Sequence, residues 1–224
     1  MSQSIDRDRA DFDQIAAALE LAGCRDELSP SERPALQLVP STARDVLEIG
    51  CGHGVVTRAL AAGARRVTAI DLSPEMIRLA RSASRQFRNI EFIVGDFLAA
   101  DFGQSRFDAV VSFAAFHHMP LVETLNRCRE LLRSGGTLLV QDIEERRGLR
   151  FLPWNALAYV ARKVRATGGR SRRVRAVERL YRQHGAREQY LSPAETEHVY
   201  TSALPGCRII HHLEWRYSVI WRRP

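Results

Sequence analysis

The sequence predicts a doubly wound α/β fold, with a seven-stranded, mostly parallel sheet, helices on both faces, an antiparallel C-terminal strand and a helical insertion. Three observations carry this. From residue 45 to 143, short apolar runs alternate with helix-like segments, the pattern of a parallel sheet covered on both faces. Near the C-terminus two apolar runs lie only a few residues apart, and only an antiparallel hairpin joins strands that closely. At 224 residues, 45% hydrophobic and 26% charged, the chain suits one domain with a sizeable core.

The elements follow in order. Asp13–Ala22 has helix-forming composition and an apolar face, and Gly23 stops it. Pro30 and Pro34 break the next stretch. Asp45–Ile49 is the first strand, and Val55–Ala62 is a short helix closed by Gly63. Arg66–Ile70 is the second strand, and Ser73-Pro74 opens a helix as N-cap and first turn. Ile90–Val94 and Phe107–Phe113 are strands, Leu121–Leu132 a helix, Ser134-Gly135-Gly136 a turn, and Thr137–Ile143 the fifth strand. Residues 144–191 break the alternation. They read as two basic, aromatic-dotted helices separated at Gly168-Gly169. Ser192-Pro193-Ala194-Glu195 is a capping box that opens a helix ending near Pro205-Gly206. Arg208–Leu213 and Tyr217–Trp221 form the closing hairpin. The whole of 1–224 reads as one domain, with 1–43 a helical N-terminal cap and 144–191 an insertion.

Composition excludes several classes. No apolar run reaches the roughly 18 residues of a membrane span, and the polar N-terminus lacks the apolar core of a secretory signal. Cys24, Cys51, Cys128 and Cys207 show no CxxC spacing, so a reducing, cytoplasmic setting without disulfides is expected. No HxH or carboxylate cluster has ligand spacing, so no metal is expected. The net charge is +7, but residues 162–187 hold ten basic residues and one acid, so the excess belongs to one segment. A chain that is basic only there is not expected to bind nucleic acid as a whole.

Chemistry concentrates at strand ends. Glu48-Ile49-Gly50-Cys51-Gly52-His53-Gly54 lies between a strand and a helix, and its glycines permit a tight turn and close backbone approach to a ligand. The spacing is GxGxG, with Val55 where a dinucleotide motif has its third glycine, so it points to a nucleoside without pyrophosphate. Asp71 ends the second strand, 21 residues after Gly50, where an acid accepts from ribose hydroxyls. With Ser73 supplying the helix cap, Asp71 is expected to be left over for the ligand. Asp96 ends the third strand, where a carboxylate accepts from an exocyclic adenine amine and Phe97 shields the ring edge. Cys51 packs within the loop and has no base beside it in the motif.

VLEIGCGHG, AIDLSPEMI, GDF and FDAVVSFAAFHHM, in that order over residues 45–143, resemble the class I S-adenosylmethionine-dependent methyltransferases, and most of all their small-molecule branch. The resemblance implies that Glu48, Gly50, Cys51, Gly52 and Gly54 border the methionine half of S-adenosylmethionine. It implies that Asp71 holds the ribose with Leu72 and Met76 beside sugar and base, and that Asp96 and Phe97 meet the adenine. It places Ser112 and Phe113 at the methionine amine and the transferring methyl. Residues 162–187 admit three readings: a solvated helical face, a surface for the phosphates of nucleic acid or anionic lipid, or one that steers an acidic substrate. The resemblance places a substrate cap in 144–191, and the interleaved aromatics favour a cap over an apolar acceptor with a solvated basic back. The family's N-terminal aromatic helix begins here at Phe12-Asp13, but residues 14–22 contain no tyrosine.

His117 and His118 follow the fourth strand at the mouth of the crevice. A histidine there titrates in the range of a general base, and His117 is the catalytic candidate; a structural histidine is the alternative. His211-His212, inside a strand, carries no expected role. The implied activity is methyl transfer to a small-molecule acceptor, a secondary metabolite or quinone-like compound, with a homodimer possible. The alternatives are a protein of this fold that uses the cofactor for a non-methylating reaction, or a nucleic-acid methyltransferase. The last lacks its usual D/N-P-P-Y/F motif, since Ser112-Phe113-Ala114-Ala115 stands there.

Overall fold

A computed structural model describes residues 2–23, 27–103, 106–146, 151–165 and 171–224, with side chains except at 2–4 and 160–165. Cys24 and Gly168-Gly169 lie outside the described residues. The helices are α1 Ser2–Ala22, α2 Glu32–Leu36, α3 Val55–Ala61, α4 Pro74–Ala83, α5 Leu121–Leu131, α6 Leu152–Arg165, α7 Arg172–Gly185 and α8 Pro193–Ala203. The strands are β1 Asp45–Ile49, β2 Arg66–Asp71, β3 Ile90–Val94, β4 Phe107–Phe113, β5 Leu132–Ile143, β6 Arg208–His212 and β7 Arg216–Arg222.

The seven strands form one sheet in the order β3-β2-β1-β4-β5-β7-β6. β1 pairs in parallel with both β2 and β4, so the chain reverses its direction of travel across the sheet between β1 and β4. In such sheets that switch point opens a crevice outside the carboxyl ends of the strands. β7 runs antiparallel to both β5 and β6, as the short link between the last two strands requires.

β1 is buried on both faces, hence its nearly uninterrupted apolar run. One face packs Val46, Val67, Ala109, Val111 and Leu139 against Val56 and Leu60 of α3. The other packs Leu47, Ile49, Ile70, Val110 and Val140 against α5 and α8, with Tyr200 wholly buried among them. The capping box forms as expected: Ser192 Oγ accepts from Glu195 N at 3.3 Å, and Ser192 N donates to Glu195 Oε2 at 2.8 Å.

Two boundaries move. α1 begins at Ser2 instead of Asp13, because its polar first half has a partner that local composition does not show: Asp11 accepts from Arg187 at 2.6 Å, beyond the end of α7. The expected turn at Ser134-Gly135-Gly136 lies inside β5, where Phe107 pairs with Leu132 and the register then shifts so that Ala109 pairs with Thr137. Gly135, at φ +74°, supplies the left-handed step of that irregularity.

One polar cluster fastens the lower end of the sheet. Asp108 Oδ2 accepts from the backbone N–H groups of Arg44 and Asp45 at 2.9 Å each, and its Oδ1 accepts from Arg133 at 2.6 Å. Burial opposes ionisation of Asp108, but these donors together outweigh it and hold its carboxyl below the usual carboxylate range. Asp108→Ala should therefore lower the unfolding free energy by about 1–3 kcal/mol at neutral pH, read from urea denaturation. The advantage of the native carboxylate should hold above about pH 4, the unfolded value, and fade as pH falls through its lowered folded value.

Candidate functional site

The turn after β1 holds three left-handed glycines, Gly50, Gly52 and Gly54, and the first two do different work. Gly50, at φ +71°, leaves no room for a side chain, since a Cβ there would overlap that of Ala115 in the turn after β4. That contact closes the β1 and β4 loops onto one another. Gly52, at φ +51°, has the opposite surroundings: a Cβ there would meet nothing within 4 Å. Its Cα faces open space at the switch point, as a cradle for a ligand does. The backbone anchors the turn through Gly50 N and Cys51 N, both donating to Ile70 O, at 2.9 and 3.1 Å.

Three acids stand at the strand ends. Glu48 is 2% exposed and accepts from Thr57 Oγ1 at 2.5 Å. Burial pushes its carboxyl up to about 8, with the charge of Asp71 adding to the rise and the Thr57 hydroxyl opposing it. Asp71 is not left over, contrary to expectation. Its Oδ2 accepts from Gly52 N at 2.7 Å and its Oδ1 from Ser73 N at 2.9 Å, so it ties the glycine turn to the end of β2. A carboxylate has about four lone-pair sites, so each oxygen retains capacity for a further donor. Burial raises its pKa against these two bonds. Asp96 follows β3 and accepts from Leu98 N at 3.0 Å, an Asx turn that leaves its second oxygen outside that bond.

The remaining residues are placed less as expected. Ser112 is fully buried and donates to Ile49 O at 3.0 Å, stapling β4 to β1 instead of opening into the crevice. Phe97 is 3% exposed, with its ring against Phe102 in the core. Phe113 packs on the α3 side of the sheet. Met76 lies beneath α1, among Ile15, Ala16 and Leu19, while Leu72 is half-buried at the start of the turn after β2. Cys51 is buried against Ala69 and Ile77, and burial drives its thiol far above the ordinary cysteine range.

The decisive pair was half visible in the sequence. His117 Nδ1 lies 2.7 Å from Asp142 Oδ1, and the backbone N of His117 donates to Asp142 Oδ2 at 2.9 Å. Asp142, at the end of β5, is 1% exposed. An ionised carboxylate only accepts, so the proton of a neutral His117 sits on Nδ1 and Nε2 carries the lone pair. Nothing local to QDIEE marks Asp142 as a partner; only the β4–β5 register brings the two together. His212 bonds Ser218 and His211 bonds Glu144, both inside the sheet.

α1 closes over this region without a tyrosine. Asp13 accepts from Ser73 Oγ at 2.5 Å, and Phe12 packs its ring 5.4 Å from that of His118 and 4.8 Å from that of His184. α7 lies along α1 through Val177 and Leu180, and turns Arg172, Arg173, Arg175, Arg179 and Arg182 to solvent. A separate surface depression, lined by Glu197, His198 and Cys207, sits between α8 and the edge strand β6, away from the switch point.

Residues 46–136 match the model of a methyltransferase domain family. An uncharacterized methyltransferase of Mycobacterium tuberculosis is 33% identical over 197 residues, covering 84% of this chain and 91% of that protein. The chain belongs to the class I S-adenosylmethionine-dependent methyltransferases. The methyltransferase is also 37% identical to a ubiquinone biosynthesis O-methyltransferase of Xylella fastidiosa, over 47% of this chain and 44% of that one. In fold it resembles DhpI in complex with S-adenosylhomocysteine, with a TM-score of 0.66 at 22% identity, covering 100% and 99% of the two chains. It also resembles the N-methyltransferase NodS of Bradyrhizobium japonicum, with a TM-score of 0.60 at 18% identity, covering 94% and 98%. No helix among the described residues is long and apolar enough to cross a membrane.

The buried Glu48 makes the methyltransferase's stability sensitive to pH in a defined sense. Its folded pKa of about 8 lies above an unfolded value near 4.3, so its neutral form favours the folded state. That contribution is full below about pH 4.3, declines as pH rises, and is gone above about 8. The melting temperature of the native protein should fall relative to Glu48→Gln between pH 5 and 8 and run parallel to it above that, a difference that scanning calorimetry on both proteins would read.

Proposed function

We propose that this methyltransferase methylates a hydroxyl group of a small, apolar, quinone-like acceptor, with His117 as general base. The observation that carries the proposal is the His117–Asp142 pair, with its 2.7 Å contact at Nδ1. A nitrogen or thiolate acceptor needs little help in losing a proton, whereas a hydroxyl needs a base placed beside it. The ubiquinone O-methyltransferases among the relatives support an oxygen acceptor of this class.

The strand ends suit S-adenosylmethionine by their own chemistry. Gly52 opens onto empty space, and Glu48, Asp71 and Asp96 offer carboxylates to its amine, ribose and adenine in turn. The cofactor supplies a methyl group on a sulfonium, already electrophilic. The chain then has three tasks. Asp71, already fixed by Gly52 N and Ser73 N, presents its remaining lone pairs without having to reorganise. His117 Nε2 takes the proton of the acceptor hydroxyl, while Asp142 stabilises the imidazolium. α1 and the insertion, whose helix α7 lies on α1, exclude water and hold the acceptor in line, and such positioning can supply about 7–11 kcal/mol. The exposed arginines of α7 form the solvated back of this cap.

Asp71→Ala should weaken binding of S-adenosylhomocysteine by about 10- to 150-fold in calorimetry, the loss of a charged acceptor worth about 1.5–3 kcal/mol. Unchanged affinity would remove Asp71 from the ribose site. His117→Ala should cut turnover on a phenolic acceptor by about 10²–10⁴ with cofactor affinity intact. Asp142→Asn should lower turnover and change its pH profile, because the amide can donate to Nδ1 and favour the wrong tautomer. Near-normal turnover in His117→Ala, with a lowered melting temperature, would make the histidine structural and leave proximity as the catalytic device.

A further inference from the structure

Beside the crevice lies a cluster that neither methyl transfer nor cofactor binding uses. His118 Nδ1, in the turn after β4, is 3.3 Å from Glu188 Oε2. His184 Nε2, in the last turn of α7, is 3.8 Å from Glu188 Oε1. The ligand atoms of all three residues lie within 4.8 Å of one another. Neither imidazole nitrogen has a hydrogen-bond partner, although both are buried and His184 is only 5% exposed. Two buried imidazole nitrogens thus converge on one carboxylate outside the geometry of an ordinary hydrogen bond, an arrangement that a shared cation would complete.

We propose that His118, His184 and Glu188 form a binding site for a divalent metal ion of the zinc class. Two imidazole nitrogens and one carboxylate are the donor set of open zinc sites, which leave a fourth position for water or a substrate oxygen. Metal–ligand bonds of about 2.0–2.2 Å in a tetrahedron put the ligand atoms roughly 3.3–3.6 Å apart, so both contacts to Glu188 are near that spacing and the widest separation must close by about 1 Å. The outer shell is already in place. Asp11 Oδ2 lies 2.9 Å from His184 Nδ1, which fixes the proton there and directs the Nε2 lone pair inward, and Arg187 holds the same oxygen at 2.6 Å. Phe12 walls the cluster on the side of α1.

The site joins the turn after β4 to α7, with α1 attached through Asp11. A bound ion therefore clips the lid down. The rings of His118 and His117 are 3.9 Å apart between centroids, so the fourth position lies beside the base. His118 and His184 are 66 residues apart in sequence, which is why no spacing motif shows the set.

The test is titration of the full, chelator-stripped chain with cobalt(II), followed by displacement with zinc. One equivalent should bind with a Kd in the micromolar range or tighter, giving the intense visible bands of four-coordinate cobalt. Zinc should raise the melting temperature of the native protein. Glu188→Gln, nearly isosteric and checked for fold by circular dichroism, should lose the bands and the zinc shift. Asp11→Asn should weaken binding by about 10- to 100-fold, as outer-shell changes do. If Glu188→Gln does not fold, His118→Asn carries the same expectation. Absence of stoichiometric binding would overturn the site. So would binding that persists unchanged in Glu188→Gln and His118→Asn, because the ion would then be held elsewhere.

Discussion

The close approach of Gly50 to Ala115 is the constraint from which the site follows. A side chain at position 50 would collide with the Ala115 methyl, so the turns after β1 and β4 touch only because one of them has no Cβ. β1 and β4 are neighbours at the switch point, and their contact sets the floor of the crevice. The turn after β4 is itself forced, with Ala114 at φ +54° and its N–H donating to Gln141 O at 2.8 Å. A non-glycine residue in that conformation stores strain that the surroundings must hold. From this fixed turn His117 reaches Asp142 and His118 reaches Glu188. Loosening the Gly50–Ala115 contact would disturb both histidines and the glycine turn together.

The second layer of order is electrostatic. Glu48 and Asp71 sit in a poorly solvated corner where burial raises both carboxyls, and the charge of Asp71 raises Glu48 further. The backbone N–H of Gly52 and the hydroxyl of Thr57 offset part of that cost. A cationic ligand would offset the rest, since its charge favours both carboxylates in ionised form. The burial that disfavours ionisation of both acids thus favours a positively charged guest.

Much of the fold was legible in the sequence because its signals are local. The β-branched runs at Arg66–Ile70, Ile90–Val94 and Phe107–Phe113, the Ser73-Pro74 cap and the Ser192–Glu195 capping box need only their neighbours to be read. The first half of α1 was missed because its partner is tertiary: Asp11 meets Arg187, 176 residues away. The site divides in the same way. Glu48, Gly52, Asp71 and Asp96 stand at strand ends that the motifs locate. Ser112 and Phe97 are engaged within the fold as well, Ser112 with Ile49 O and Phe97 with Phe102, contacts that strand-end position alone does not convey. Asp142, Asp11, His184 and Glu188 enter only through tertiary pairing, which no spacing rule conveys.

The central claim is that the open face at Gly52 is the cofactor cradle and that Asp71 serves turn and ribose at once. The most direct measurement is a crystal structure of the methyltransferase with S-adenosylhomocysteine. The account predicts the amino-acid half of the ligand against Gly52 Cα and both ribose hydroxyls within hydrogen-bond distance of Asp71, with the 2.7 Å bond to Gly52 N retained. A ligand bound elsewhere, or an Asp71 that keeps only its backbone partners, would contradict it.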